Sequence, residues 1–350
     1  MITARTRAVA SRAALLATIF IVAGLAAGSA ARADEYARVN LLEENDSLYF
    51  KTDKHYTQGI RFSYLTPTLA ADGMWAGLFH ALPADTPFFN AGDSSDRRAA
   101  VLFGQSVFTP DNLRARPPSP HDRPYAGWLY GGASLLQRSG ADMLENLEFD
   151  IGVVGPAALG KQVQNDWHQL IGIRQANGWT NQLQNEPGVL LSYERLWRIA
   201  VPGVAIGPIG IDVVPQIGAT LGNVFTYGEV GAMLRIGTNL GADFGPARVR
   251  PALSGTDYFD GDKADDGLGG YFYIGTQGRV VAQNIFLDGN TDRTSPSVAR
   301  KVLVGDVQSG FAFEWSRRVR LDLSVSLRSD EFNGQHSPDE IGTVGLSFAL

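Results

Sequence analysis

Apolar and polar residues alternate strictly over many short segments of this chain. One clear case lies near the C-terminal end, where Val319, Leu321, Leu323, Val325 and Leu327 alternate with Arg320, Asp322, Ser324, Ser326 and Arg328. A period of two places the apolar residues on one face of a β-strand and the polar residues on the other. One such segment would also suit a soluble sandwich, but the pattern recurs at 147–153, 209–213, 311–315 and 344–350. The repetition predicts an all-β fold.

Twelve segments qualify as strands: 35–44, 57–66, 99–108, 126–137, 144–155, 187–199, 208–220, 222–237, 270–283, 300–315, 318–330 and 340–350. Each is long enough for the roughly 9–11 residues that a tilted strand needs to cross a bilayer. An even number of strands suits a closed bacterial barrel, and closure leaves no unpaired edge in lipid. The prediction is a transmembrane antiparallel β-barrel of about twelve strands.

The first residues have the pattern of an export signal. Arg5, Arg7 and Arg12 precede an apolar run over residues 13–27, and residues 31–33 fit a small-x-small cleavage site. The run is shorter than the roughly 20 residues of a spanning helix, which is the alternative interpretation. We therefore expect a signal peptide over residues 1–33 and a single barrel domain over 34–350.

Composition agrees with an exported barrel and excludes several chemistries. The chain has 40 glycines, 10% aromatic residues and a mean hydropathy of -0.07, as expected when outward apolar and inward polar residues average out. It has no cysteine, which excludes thiol nucleophiles and thiolate metal sites. The net charge of -6 and the absence of a basic run argue against nucleic acid as a partner. The predicted location is the outer membrane of a Gram-negative bacterium.

Periplasmic termini would place the connections at 45–56, 109–125 and 156–186 outside the cell. The same topology leaves two long connections, 67–98 and 238–269, on the periplasmic side. Because periplasmic turns are usually short, either strands extend into these segments or the strand assignment there is wrong.

Two outward loops carry polar clusters. The first holds Glu43-Glu44-Asn45-Asp46 and, further on, Thr57, whose oxygen atoms can ligate a hard cation such as Ca²⁺, although a solvated charged loop is the alternative. The second is rich in proline. We expect Asp122 and Arg123 to pair there, and Trp128 and Tyr130 to join an interfacial aromatic girdle.

The third outward loop contains a predicted helix over residues 158–172. Val163, Trp167, Leu170 and Ile171 form an apolar stripe, Gln164 and His168 share a face because they are four residues apart, and Gly172 ends the helix. Leaning on the barrel rim, this helix would turn His168 toward the wall. Histidine is suited to take a proton from water, although a structural surface histidine is the alternative. The chain has no GxSxG, HExxH or Walker motif, so a hydrolase here would use His-activated water and a metal-assisted oxyanion.

Several short motifs follow one another in order over residues 38–200. They are Asn45-Asp46, Tyr56-Thr57-Gln58-Gly59, Gly104-Gln105, Phe108-Thr109-Pro110, Asp122 through Trp128, Gly152 through Pro156, and Gln162 through Gly172. Together they resemble the lipid A 3′-O-deacylase family of outer-membrane enzymes. The resemblance implies a twelve-stranded barrel whose active site lies between the wall and a loop helix. It also implies Ca²⁺ as cofactor and lipid A, or lipopolysaccharide, as the substrate in the outer leaflet. The expected protein is a monomer that releases the 3′-linked acyloxyacyl chain by ester hydrolysis.

Carried over by motif, the resemblance makes His168 the general base, Asn45, Thr57 and Gln164 further catalytic residues, and Asp46 a metal ligand. In the family, a lysine of the second outer loop is expected to contact a substrate phosphate. This chain has no lysine there, and Arg114 or Arg116 would take its place. The family also has an acidic and an aromatic residue just after the catalytic helix, and these positions are occupied here by Arg174 and Ala176. The alternatives are an outer-membrane deacylase of phospholipids, and a porin or structural barrel without enzymatic activity.

Overall fold

The structure is a computed structural model that describes residues 36–49, 54–71, 73–82, 88–89, 96–172, 174–204, 206–246, 258–264 and 267–350. The predicted signal peptide and residues 50–53 of the first outward loop lie outside the described residues. The strands are β1 (Arg38–Asn45), β2 (His55–Leu65), β3 (Asp96–Thr109), β4 (Ala126–Ser139), β5 (Met143–Val154), β6 (Glu186–Trp197), β7 (Ile199–Ala200), β8 (Gly210–Gly222), β9 (Phe225–Gly237), β10 (Leu268–Asn284), β11 (Leu303–Trp315), β12 (Val319–Arg328) and β13 (Asp339–Ala349). The α-helices are α1 (Met74–Ala81), α2 (Gly160–Ile171) and α3 (Ile285–Asp288). No helix among these residues is long and apolar enough to span a membrane.

The strands form one closed antiparallel barrel. Sequential strands pair with one another, β1 pairs with β13, and β6 pairs with β8. The two-residue strand β7 only extends the contact with β8, so twelve long strands make the wall. This confirms the predicted fold, and all twelve predicted segments correspond to observed strands. A bulge between Tyr56 and Gln58 interrupts the pairing of β2 with β3.

The two faces of the wall differ as the alternation predicts. Outward side chains include exposed apolar residues such as Phe149, Ile151, Leu191, Ile217, Val230 and Phe311. Inward side chains include the buried arginines Arg38, Arg98, Arg138, Arg235 and Arg320. An apolar belt around a polar interior is the arrangement of a barrel that is surrounded by lipid.

We call the end of the barrel that holds Arg38 and Ala349 the termini end, and the opposite end the loop end. The sequence did not predict where the two long connections at the termini end lie. Neither adds a strand to the wall in the residues that the structure describes. The connection after β2 folds back against the outside of the barrel, where Phe79 and Phe89 pack on Ala99 and Leu135.

The connection between β9 and β10 enters the lumen instead. Asp243 is bonded by the inward Arg235 and Arg320, and Asp260 accepts a hydrogen bond from Arg138 at 2.6 Å. In the same connection, the Phe259 carbonyl accepts a hydrogen bond from the inward Arg98 at 3.3 Å. The described part of this connection, residues 238–246 and 258–264, is therefore a plug that inward-facing arginines hold in the termini end.

The expected aromatic girdle at β4 is wrong. Trp128 and Tyr130 face the lumen, where they are buried and their rings stack at 5.5 Å. Tyr56, Phe108 and Phe225 belong to the same buried cluster. The interior near the loop end thus has an apolar core, and the burial and stacking of these rings stabilise it.

The expected pairing of Asp122 with Arg123 is also replaced by another. The buried Arg123 donates to Glu331 at 3.0 Å, and Arg328 lies 3.7 Å from the same carboxylate. Burial raises the pKa of Glu331, but Arg328 and Arg123 outweigh this effect and hold the pKa well below its ordinary value. This ion cluster ties the loop after β3 to the loop after β12.

Candidate active site on the outer wall

The predicted loop helix exists as α2 and lies on the outside of the barrel. It contacts β3 and β4, and just before it the Ala158 carbonyl accepts a hydrogen bond from Gln105 of the wall at 2.6 Å. Gly127 permits this approach, because a Cβ there would lie 3.1 Å from the Ala158 Cβ and 3.2 Å from the Gly160 nitrogen. The helix is therefore seated directly on the outward face of β4.

The ends of α2 are set by two residues in left-handed backbone conformations. Leu159 precedes it with φ 61°, and Gly172 follows with φ 75°, which confirms Gly172 as the end of the helix. Gln164 and His168 share the buried face, at 2% and 3% exposed, whereas Trp167 is 46% exposed and the polar residues Lys161, Gln162, Asp166 and Gln169 are exposed as well. The helix thus turns Gln164 and His168 toward the wall and Trp167 away from it.

His168 is held in a defined orientation. Its Nδ1 lies 2.9 Å from the carbonyl oxygen of Arg174, so Nδ1 carries the hydrogen and donates it. In the neutral imidazole, Nε2 is then the nitrogen with the lone pair. Asn165 supports this geometry, because its Oδ1 accepts a hydrogen bond from the backbone nitrogen of Ala176 at 3.0 Å. A histidine oriented in this way can accept a proton through Nε2.

Gln164 is fixed by a tryptophan. The Trp179 indole nitrogen donates to Gln164 Oε1 at 2.9 Å, and both side chains are buried. Trp179 packs on Tyr125, with ring centroids 4.8 Å apart, in a cluster that includes Val107 of the outer wall. The indole hydrogen bond therefore fixes the orientation of the Gln164 amide group.

Asn45, Asp46 and Thr57 lie at the loop end of β1 and β2. Asn45 faces outward, and its Oδ1 accepts hydrogen bonds from the Ser47 nitrogen at 2.7 Å and the Ser47 hydroxyl at 2.5 Å. Asp46 accepts from the Lys54 nitrogen, and its own nitrogen is 3.4 Å from the Thr57 carbonyl oxygen. Strands β1 to β4 are neighbours, so these residues and α2 occupy one stretch of outer wall.

Thr57 occupies the bulge of β2, and this places its hydroxyl 2.7 Å from that of Thr109 on β3. Both residues are buried. The bulge therefore turns Thr57 toward the strand on which α2 packs.

The residues around Asp46 suit a hard cation in the type of their donors. Asn45, Asp46 and Thr57 offer amide, carboxylate, hydroxyl and carbonyl oxygens, the atoms that Ca²⁺ prefers. Within the described ranges, no cluster of three or more His, Cys, Asp or Glu residues is arranged for a metal. A cation at this place would accordingly use one carboxylate together with neutral oxygens.

Arg114 and Arg116 are separate from this wall. Both are exposed in the loop after β3. That loop reaches the segment after α2, because the Asn177 nitrogen donates to the Leu113 carbonyl at 3.0 Å. The two arginines therefore flank the site rather than line it.

Three supporting residues had no assigned role in the sequence. The role of Thr109 follows only from its position across from Thr57 on the neighbouring strand. The roles of Trp179 and the Arg174 carbonyl follow only from the path of the chain after α2, which brings them to Gln164 and His168. The long connections between these elements leave the register and the return path undetermined by sequence spacing.

A closed barrel with an apolar belt, and a buried histidine between a loop helix and its outer wall, define an outer-membrane protein with a lateral site. The chain belongs to the family described as Outer membrane protein LpxR, whose family model matches residues 14–350. This is the lipid A 3′-O-deacylase family that the motifs resemble, and it places the protein in the bacterial outer membrane.

A solved structure agrees with the fold. LpxR from Salmonella typhimurium superposes with a TM-score of 0.69 at 21% identity, covering 89% of this chain and 100% of that one. The β domain of the Bordetella autotransporter Brka gives a TM-score of 0.43 at 9% identity, covering 90% and 99% of the two chains. No curated protein matches the sequence.

Proposed function

We propose that the protein is an ester hydrolase that removes the 3′-linked acyloxyacyl chain of lipid A in the outer leaflet. The observation that carries this proposal is the burial of His168 between α2 and the outward face of the barrel. Long loops of outer-membrane barrels face the cell exterior, so this position is level with lipopolysaccharide. Family membership supports the same substrate class.

In the proposed reaction, His168 Nε2 takes a proton from a water molecule as the water oxygen attacks the ester carbonyl carbon. The Nδ1–H bond to the Arg174 carbonyl keeps the ring in the required tautomer and stabilises the imidazolium. The same Nε2 then returns the proton to the sugar oxygen as the ester C–O bond breaks.

The wall residues would hold the ester and a cation in place. Ca²⁺, bound by Asp46 with Asn45, would supply positive charge to the oxyanion that develops on the carbonyl oxygen. Thr57 is kept in position by Thr109, and Gln164 is kept in position by Trp179. Arg114 and Arg116, at the flank of the site, would bind a lipid A phosphate.

Two other functions make different predictions. A phospholipid deacylase would use the same residues, and only a panel of lipids separates it from the lipid A enzyme. A porin needs an open lumen, whereas here the described plug residues, 238–246 and 258–264, and the inward arginines occupy the termini end. The plug therefore argues against an open pore.

The test compares wild type with His168→Ala in detergent with purified lipopolysaccharide, each in Ca²⁺ or EDTA, with lipid A analysed by mass spectrometry. We expect loss of the acyloxyacyl mass only for wild type in Ca²⁺. General-base catalysis contributes roughly 10²–10⁴-fold, so the variant should fall by that factor. Heat-modifiable migration on gels controls for folding.

Each result has a clear meaning. Equal release of the acyloxyacyl chain by His168→Ala and wild type would refute the assignment of His168 as the general base. Equal release in EDTA and in Ca²⁺ would refute the requirement for the metal. No release by folded wild type, but release from a glycerophospholipid, would support the phospholipid enzyme.

A further inference from the structure

A carboxylate faces outward near the termini end of the wall, where lipid would be expected. Glu145 has the same orientation along β5 as Phe149 and Ile151, which are 49% and 59% exposed. Glu145 itself is 0% exposed. An uncovered carboxylate on a lipid-facing wall costs free energy, so this side chain needs both partners and a cover.

The partners come from the next strand and from the connection after β2. Glu145 accepts hydrogen bonds at 2.7 Å from the Tyr193 hydroxyl and at 2.7 Å from Arg195, both outward residues of β6. Both of its oxygens also lie 3.1 Å from the Phe89 backbone nitrogen. The carboxylate thus fastens the connection to the outside of the barrel.

Helix α1 belongs to this cover. Its Phe79 packs on Phe89 with ring centroids 5.6 Å apart, and the Arg97 guanidinium lies 5.2 Å from the Phe79 ring centroid. Phe88 contacts Tyr193 at 4.2 Å between centroids. One side of α1 is therefore occupied by the barrel wall.

The opposite side of α1 is also apolar. Met74 is 69% exposed and Leu78 is 45% exposed, with Gly77 and Ala81 on the same stripe. The eight residues of the helix include no Asp, Glu, Lys or Arg. A helix in water would carry charges on this side, whereas an exposed apolar stripe beside a lipid-facing wall suits a membrane.

We propose that α1 is an in-plane helix inserted into the leaflet at the termini end of the barrel, and that its Met74–Leu78 face contacts phospholipid acyl chains. Leu147 of β5 packs on the cluster that contains Phe79, and further along the same strand Phe149 and Ile151 are exposed where an outer-membrane barrel meets lipid. Trp75, half-buried at the edge of this face, suits the boundary between acyl chains and headgroups. The inference is independent of the catalytic proposal, because it concerns the other end of the molecule.

The test uses the absence of cysteine, which allows single spin labels without background. Full-length Leu78→Cys and Met74→Cys proteins are labelled, reconstituted in phosphatidylethanolamine–phosphatidylglycerol vesicles, and measured for collision with oxygen and with a water-soluble nickel chelate. Leu191→Cys on the lipid-facing wall and Asp142→Cys in an exposed turn are the lipid and water references. Heat-modifiable migration confirms folding of each variant.

We expect the oxygen-to-nickel collision ratio at positions 78 and 74 to match that at 191 and to exceed that at 142 severalfold. A ratio at both positions equal to that at 142 would place the helix in water and overturn the proposal. Low collision with both reagents would mean contact with protein rather than acyl chains, and would overturn it equally.

Discussion

Replacing Arg235 by methionine is expected to loosen the plug and admit ions to the barrel. Arg235 is fully buried and donates to both oxygens of Asp212, at 2.8 and 2.6 Å. It also bonds Asp243 of the plug and donates to the Leu240 carbonyl at 2.9 Å. Methionine preserves much of the volume but removes every donor, so Asp212 would be left buried without the charge that now faces it.

The size of the effect follows from the cost of breaking a buried ion pair, about 3–5 kcal/mol. At about 1.4 kcal/mol per tenfold change, this corresponds to roughly a hundredfold to a few thousandfold in the equilibrium between plugged and released states. Because Asp243 keeps Arg320 and the Tyr271 hydroxyl at 2.8 Å as partners, we expect partial rather than complete release.

The assay is conductance in planar bilayers, together with the temperature of unfolding followed by gel migration. We expect Arg235→Met to raise conductance and lower the unfolding temperature. The exposed pair Asp292–Arg293 supplies the control, since Arg293→Met should change neither. The double variant Arg235→Met/Asp212→Leu should recover most of the lost unfolding temperature, because replacing both partners by apolar groups removes the unpaired charge. Unchanged conductance and stability in Arg235→Met would refute the role of this residue in holding the plug.

Two further predictions concern the site and the loop end. Gly127→Ala should displace α2, because the added methyl lies 3.2 Å from the first nitrogen of the helix, and it should lower lipid A turnover by up to roughly 10²-fold. Gly131→Ala is the matched control, since its methyl lies 3.6 Å from its nearest neighbour. Equal activity of the two variants would contradict the packing of α2 on Gly127. Glu331 has a lowered pKa in the folded state, so its contribution to stability is present above the unfolded pKa of about 4.3 and is lost as the pH falls toward the folded pKa. The unfolding temperature of the wild type should therefore fall as the pH is lowered below about 5. Glu331→Gln should unfold at a lower temperature than the wild type at pH 7, and its unfolding temperature should change less below pH 5. Parallel plots of unfolding temperature against pH for the two proteins would contradict this role of Glu331.

The barrel could be predicted because its signal is local. Alternation along β12 already separates Leu321 and Leu323 from Arg320 and Asp322, and the structure places them outward and inward in that order. Gly172 likewise marks the end of α2 through its own backbone preference. Such features depend on residues within one strand or one helical turn.

The remaining features depend on contacts between distant segments. Trp128 and Tyr130 suited a membrane girdle by type, yet they fill the lumen, because the apolar cluster at the loop end includes residues from many strands. The partner of Arg123 lies 208 residues away in Glu331. The two long connections could not be placed either, since residues of distant strands hold them, Arg138 in the case of the plug and Glu145 in the case of the outer cover.

The position of α2 outside the wall has a consequence for kinetics. A substrate that reaches His168 from the surrounding leaflet arrives by diffusion in two dimensions and does not have to leave the lipid phase. The rate would then be set by the mole fraction of substrate in the membrane rather than by its amount per volume of solution. Diluting substrate-bearing vesicles with buffer would leave turnover in each membrane unchanged, whereas diluting the substrate with inert lipid in the same membrane would slow it.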